Sequence, residues 1–407
     1  MNEVSVSGLG VVSPHGADAQ SMFKALVRGE SAVHPIFPEL ARPAAAAVVA
    51  FNETPWFNKL QLAGVDRVSQ LAVAAADLAL RDAGGLGDMD RERVGLYVGC
   101  GMGGAAALEA AYRSAGRVPP LTVPAFMANA PASHVAMRQR VMGPVLTYSV
   151  ACASSSVAIA EAAKAVRSGE VDVAIAGGSE AMLVPSVVLA WQAMMTLAGF
   201  QPGEAATACR PFATDRSGFV LGEGAAFLVL ESAAHARARQ ARVYASLSGW
   251  GMGCDATHLT KPDAAGQQRA LGTALRMAGL QPSDVGYCNA HGTATRIGDA
   301  VEAEALRAVW GRAIDKLQVS STKALHGHLL GAAGALEAVV TILAVHHGQL
   351  PPNAHCANPD TSLGLNLVRQ TDTAAPHLHA AMSSSFAFGG TNSVLLFQRA
   401  DGVGASW

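Results

Sequence analysis

Residues Tyr148 to Glu170 read YSVACASSSVAIAEAAKAVRSGE. An apolar, β-rich run from Val145 to Val150 stops abruptly at Ala151 and Cys152. Small residues follow (Ala153, Ser154, Ser155, Ser156), then a helical pattern on Val157, Ile159, Ala160, Ala163 and Val166, ended by Gly169. The spacing predicts strand, tight turn and helix, with the Cys152 thiol on the turn. A thiol at a helix N-terminus feels the positive end of the macrodipole, and the free N–H groups there can hold an oxyanion. Both effects favour the thiolate, which is the nucleophile, so Cys152 is expected to be reactive. Cys100, Cys209, Cys254, Cys288 and Cys356 lack that setting and read as small buried hydrophobes.

The same punctuation recurs along the chain. Val4 to Val12 reads as a strand, and Arg67 to Asp82 as a helix closed by Gly84-Gly85. Val94 to Val98 is a strand running into GCGMGG, Val171 to Ala176 a strand stopped by Gly177-Gly178, and Phe227 to Leu230 another strand. A second set follows: strands at Val243 to Gly249, Val285 to Asn289, Gln318 to Ser321 and Val394 to Phe397, with helices at Gly266 to Ala278 and from about Leu329 to His346. Apolar strands alternating with helices imply an α/β class, its sheets covered on both faces. Strand, Cys152 turn, Ala-rich helix and Gly169 match strand, His328 turn, Ala-rich helix and Gly348. That similarity predicts two related βαβ-type halves joined near Ser232 to Arg242. Small residues suited to tight helix-on-sheet packing would produce the same likeness.

Bulk composition narrows the classes. With 407 residues, half of them hydrophobic, 15% charged and 42 glycines, the chain fits a large-cored globular enzyme and excludes disordered or fibrous proteins. A net charge of −2 gives no reason to expect nucleic acid as a partner. Six cysteines without a CxxC pair argue against a disulfide framework or a zinc site and suit a reducing cytosol. The opening MNEVSVSGLGVVSP reads as a first strand and not as a signal peptide. No apolar run is expected to reach the roughly 20 residues that span a bilayer, so a cytoplasmic protein without a membrane is expected.

Further segments carry side chains suited to chemistry. NAHGTATRIGDAVEAEAL, Asn289 to Leu306, delivers His291 from a strand end into a Gly/Thr loop before a helix expected near Asp299. SSTKALHGHLLGAAGALEAV, Ser320 to Val339, sets Lys323, His326, His328 and Glu337 among apolar residues. SSSFAFGGTNSVLLF, Ser383 to Phe397, places Phe386, Ala387 and Phe388 before a Gly389-Gly390 turn. His346, His347, His377 and His379 read as ordinary core or surface residues. His326 and His328 form an HxH that could ligate a metal, but no third ligand has suitable spacing, so no metal is expected. GCGMGG lacks the GK[ST] of a phosphate loop and reads as close backbone packing.

Taken together, VACASSS, NAHGTAT, TKALHGHLLGAAGALEA and SFAFGGTN resemble the β-ketoacyl-acyl carrier protein synthases of the type I/II group, and the resemblance covers essentially the whole chain. It implies a thiolase-like α/β fold, two related βαβ-type halves in a layered α-β-α-β-α body. Residues 1–238 would carry the nucleophile and residues 239–407 both histidines. The implied reaction is a decarboxylative Claisen condensation, in fatty-acid or polyketide chain elongation, between an enzyme-bound acyl group and malonyl-acyl carrier protein. Acyl transfer needs an activated thiol. Loss of CO2 needs charge stabilisation on a thioester oxygen, a task two histidine donors suit. By resemblance, Cys152 is acylated, and His291 and His328 bind the malonyl thioester carbonyl. The backbone N–H groups of Cys152 and Phe388 would hold the oxyanion. Lys323 supports the site electrostatically with Glu337 as its partner. Thr293 and Thr295 bind the pantetheine arm, and Phe388 gates an acyl pocket bordered by Phe386 and Ala387. Asp299 and Glu302 would order the loop. No cofactor is implied beyond the phosphopantetheine of an acyl carrier protein. That carrier is one implied partner. The other is a dimer mate, identical or a related ketosynthase subunit, with GCGMGG near the interface.

Some positions depart from the family pattern. His326 stands where a small hydroxyl residue is usual and adds a titratable ring beside the site; Arg296 replaces a common Pro and would contact the pantetheine phosphate or solvent. Ala387 replaces a Gly of the gating loop, which would restrict the gate where φ > 0 is required. Phe57 to Arg67 keeps only Lys59 and Arg67 where related enzymes carry a basic carrier-docking surface. These departures point towards a dedicated polyketide or specialised acyl pathway. The alternative is an accessory, pocket-shaping subunit of a ketosynthase heterodimer, though such subunits typically lack the cysteine. Priming enzymes usually use Cys-His-Asn and thiolases a second Cys, and a pure binding module has no need of this set.

Overall fold

The computed structural model describes residues 2–400. The apolar runs become β1 (Val4–Val12), β2 (Val94–Gly99), β3 (Val145–Tyr148), β4 (Val173–Glu180) and β5 (Gly224–Ser232), then β6 (Ala245–Cys254), β7 (Tyr287–Asn289), β8 (Gln318–Ser320), β9 (Asn366–Leu367), β10 (Ala380–Phe386) and β11 (Thr391–Arg399). They form one mixed sheet in the order β9-β8-β7-β10-β11-β6-β1-β5-β4-β2-β3. With the edge strand β9 set aside, each half, ranked by chain order within its own set, reads third, second, fourth, fifth, first. In both, the second strand pairs parallel with the third and fourth, and the fifth pairs antiparallel with the fourth and first. The halves meet where β1 pairs with β6, at Ser5↔Ser246 and Val6↔Ala245.

Six helices complete the layers: α1 (Arg67–Asp82), α2 (Ala130–Gln139), α3 (Ser154–Ser168), α4 (Ala264–Ala278), α5 (Arg296–Trp310) and α6 (Ala333–His347). Residues of α3 and α6 share one core with inward side chains from both halves of the sheet, among them Leu228 of β5 and Leu395 of β11. α1 and α2 cover the outer face of the first half, and α4 and α5 that of the second. The result is the five-layer α-β-α-β-α body of a thiolase-like fold.

Each central helix is entered through a three-residue 3-10 turn, Ala151–Ala153 before α3 and Leu330–Ala332 before α6. Both turns open on a non-glycine residue with positive φ, Ala151 at 49° and Leu330 at 43°. Such backbone is costly and concentrates at functional sites. Both helices end on a left-handed glycine, Gly169 and Gly348.

Several sequence expectations need correction. Gly177-Gly178 does not stop β4, which runs through them to Glu180. These glycines permit close packing: a Cβ at Gly177 would lie 2.0 Å from the carbonyl oxygen of Ala226, and one at Gly178 2.6 Å from Cβ of Ser155. α5 begins at Arg296, capped by Thr295, and not near Asp299. Cys254 is exposed, whereas Cys100, Cys209, Cys288 and Cys356 are buried. The stretch Leu330–His347, mean hydropathy 1.5, is long and apolar enough by composition to cross a membrane, against the expectation of no such run. It is 89% buried because it threads the middle layer.

Candidate active site

The β3 strand ends against the Ala151–Ala153 turn, so Cys152 is delivered to the N-terminus of α3 with only 6% of its surface exposed. Its Sγ lies 3.1 Å from Nε2 of His328, which precedes the matching turn of α6. The Leu330 N–H donates to Nδ1 of His328 at 3.3 Å. A ring nitrogen that accepts carries no proton, so the proton of neutral His328 sits on Nε2, facing the thiol. His291 arrives from the end of β7, its ring edge-on to that of His328 at 5.6 Å. The donor atoms of Cys152, His291 and His328 all lie within 4.8 Å of one another. The structure thus gathers the nucleophile and both histidines in one place.

Buried charges surround the trio. Nζ of Lys323 is 2.5 Å from Oε1 of Glu337, and both residues are fully buried. Burial pushes Glu337 up, and Lys323 pulls it back. Burial, then the Lys323 charge, hold His291 and His328 well below the usual imidazole value, so both are neutral N–H donors at physiological pH. Cys152 departs from expectation. Burial pushes its thiol up to about 11, opposed by Lys323 and by the backbone N–H groups of Phe388 and of Cys152 itself. Desolvation outweighs the helix terminus, so the resting group is a thiol and not the expected thiolate.

Buried carboxylates fix the loops. Glu302 accepts the N–H groups of His291 (2.8 Å) and Gly292 (2.7 Å). Asp299 stands apart from the trio and accepts the Phe212 N–H at 2.7 Å. Glu180, which sequence reasoning missed, accepts N–H groups from Gly101 (2.8 Å), Met102 (3.1 Å) and Gly331 (3.0 Å). It ties the GCGMGG loop of the first half to the turn beside His328. A lone acid closing an apolar glycine strand was the available signal.

A cavity of about 550 Å³ opens onto the trio, lined also by Thr293, Thr295, Phe386, Ala387 and Phe388. The hydroxyls of Thr293 and Thr295 are 3.1 Å apart, and that of Thr295 also caps α5. Arg296 and Lys261 are exposed at the cavity's polar side. His326 adds no titrating ring. Nδ1 is bonded to the Gly327 carbonyl and Nε2 to the Thr322 hydroxyl, and burial pulls it down to about 3. Ala387 has no positive φ; the left-handed residues of that loop are Gly389 and Gly390. Arg67 is not a free docking cation either, since it pairs with Glu223 at 2.6 Å and bonds the Val49 carbonyl. Lys59 is exposed.

Comparison with known proteins agrees with this geometry. The chain matches the family models "Beta-ketoacyl synthase, N-terminal domain" over residues 1–236 and "Beta-ketoacyl synthase, C-terminal domain" over residues 244–357. It is 39% identical over 406 residues to nodulation protein E of Rhizobium sp., covering 97% of this chain and 99% of that one. It is 35% identical over 409 residues to 3-oxoacyl-[acyl-carrier-protein] synthase 2 of Vibrio cholerae, with 97% and 99% covered. Among solved structures it is similar to the ishigamide ketosynthase/chain length factor, with a TM-score of 0.91, 30% identity, and 98% of this chain and 99% of that one covered.

Proposed function

The chain belongs to the β-ketoacyl synthase family, and from that we propose how its residues divide the work of acyl-chain elongation. It is an acyltransferase that condenses an enzyme-bound acyl group with malonyl-acyl carrier protein, releasing CO2 and giving β-ketoacyl-acyl carrier protein.

Cys152 attacks the incoming acyl thioester. The S–acyl bond to the carrier breaks, a new one forms on Sγ, and the Cys152 proton leaves with the carrier thiol. Thiolate character needed in that step is supported by Lys323, by the His328 Nε2–H and by the Phe388 N–H. Malonyl thioester then binds with its carbonyl oxygen between His291 and His328. The bond to the carboxylate breaks, CO2 departs, and the electron pair forms an enolate that both N–H donors stabilise. The enolate carbon attacks the acyl carbonyl. Its oxyanion is held by the N–H groups of Cys152 and Phe388, and collapse expels the Cys152 thiolate. The observation that carries this reading is the Leu330 N–H on Nδ1, which commits His328 Nε2 to donating. His328 therefore polarises the malonyl carbonyl and is not the base that takes the thiol proton.

In this proposal residues 1–238 supply the nucleophile and residues 239–407 both histidines. Thr293 and Thr295 line the path of the pantetheine arm, and Arg296 and Lys261 meet its phosphate. That arm, part of the substrate, is the only prosthetic group the reaction uses. The carrier in the Vibrio cholerae relative's name and the two components of the ishigamide ketosynthase/chain length factor support two partners for this chain in the cytoplasm: an acyl carrier protein, and a second copy or related ketosynthase subunit.

Intact-mass spectrometry with a panel of acyl-carrier proteins, with and without malonyl-carrier protein, tests the scheme. Wild type should gain one acyl mass at Cys152 and then release an elongated product. Cys152→Ala should gain none. His328→Ala should still be acylated but lose malonyl decarboxylation. An acylated Cys152→Ala, or normal condensation by His328→Ala, overturns the roles assigned. No acylation from any donor favours an accessory subunit.

A further inference from the structure

The cavity has two unlike sides. The exposed mouth carries Arg296 and Lys261, with Leu259 and Ile297 beside them. Behind the thiol, Cys152, Val157, Leu330 and Ala387 belong to one apolar cluster, and Trp191 packs against it. Trp191 comes from the short helix Pro185–Ala193. Its indole stacks on Phe388 with ring centroids 6.2 Å apart and planes at 27°. Phe219 meets the same indole edge-on at 5.5 Å and reaches the His328 ring edge-on at 5.3 Å. An unbroken aromatic contact thus runs from the gate through Trp191 and Phe219 to a histidine of the trio.

In the proposed reaction the mouth is taken by the carrier arm, so an acyl chain on Sγ must extend into this apolar cluster. A short chain fits beside the rings. A longer one must part Phe388 from Trp191. The left-handed residues of the Phe388 loop are Gly389 and Gly390, so a swing of Phe388 hinges there. Met194 and Met195, which follow Trp191, line the same cavity and are 44% and 83% exposed. The indole is the bulkiest side chain of the lining, and its removal would open its own volume to the chain.

We propose that Trp191 is the specificity-determining residue of the acyl pocket, bracing Phe388 closed and selecting short acyl groups over long ones. This rests on the acyl-transfer role of Cys152 given above. The test is kcat/KM for acylation of Cys152 by hexanoyl- and dodecanoyl-carrier protein in wild type, Trp191→Phe and Trp191→Ala. Wild type and Trp191→Phe should favour hexanoyl, and Trp191→Ala should shift the ratio about ten-fold or more towards dodecanoyl. Malonyl decarboxylation is measured alongside in all three, so that a change in the acyl ratio is separated from a general loss at the site. If Trp191→Ala does not fold, Trp191→Leu keeps apolar bulk without the stacking ring and should shift the ratio in the same direction. An unchanged ratio, or a parallel loss of decarboxylation, overturns the role of Trp191 alone. Failure of wild type to acylate with either donor overturns the acyl-transfer reading as well.

Discussion

Burial decides the resting state of Cys152, and the charge of Lys323 decides how far that state can be moved. With the thiol pushed up to about 11, alkylation of the free enzyme by iodoacetamide should keep rising as pH climbs past 9, without levelling below 8. Lys323→Met removes the main opposing charge, and Glu337, already pushed up by burial, then takes a proton in place of remaining a lone buried anion. The thiol is driven further up and its thiolate fraction falls, so alkylation of Cys152 at pH 8 should slow by about ten-fold or more. Peptide-level mass spectrometry at pH 8 checks this, and an unchanged rate would mean that Lys323 does not act on the thiol. Residues set in local motifs were legible in the sequence as neighbours: Cys152, His291 and His328 come together, and Lys323 meets Glu337. The thiol's protonation was not, because it depends on how completely distant segments bury it. Nor were Trp191 and Glu180, whose partners lie in other elements.

The middle layer works only because its two helices are lined with small residues where they touch. A Cβ at Gly334 of α6 would lie 2.8 Å from Cβ of Ser156 and 3.0 Å from Oγ of Ser385, and the neighbouring Ala335 N–H donates to Oγ of Ser155 at 2.9 Å. Gly334→Ala should therefore destabilise the protein by about 1–3 kcal/mol through overpacking, although it changes no group proposed to react. Urea unfolding followed by fluorescence measures it; a stability equal to wild type would show that α3 and α6 can part without cost. The likeness of these helices allowed two related halves or packing alone as its source; apart from the edge strand β9 the strand order repeats, and the helices also pack tightly. Strand and helix identity was readable from apolar periodicity. Boundaries slipped where glycine served close approach within an element, as in β4, since a glycine that admits a neighbour and one that ends a strand look alike in sequence.

Across the molecule, carboxylates hold the catalytic loops at an electrostatic cost. Burial pushes Glu180, Glu302 and Asp299 up to about 7 despite the N–H groups they accept. These groups take up protons on folding, so their contribution to stability is full below the ordinary carboxylate range and is lost as pH rises through about 7. His291, His326 and His328, held neutral by burial, act in the opposite sense as pH rises past 6, so the carboxylate is read by difference: the unfolding free energy of wild type minus that of Glu180→Gln should fall between pH 5 and pH 8. Urea titrations of both proteins decide it; a difference constant with pH would place Glu180 as ionised well below neutrality. Glu180 also sets the two halves apart. Gly331 is the second residue of its turn, as Cys152 is of the first, and its N–H is filled by a carboxylate oxygen where the N–H of Cys152 faces its own sulfur. On the proposed scheme the two-fold body thus has two anion-binding turns, one of them with a permanent tenant. Glu180 is the resident stand-in for a charge that the other half meets only in passing, and the symmetry of the scaffold stops short of its chemistry.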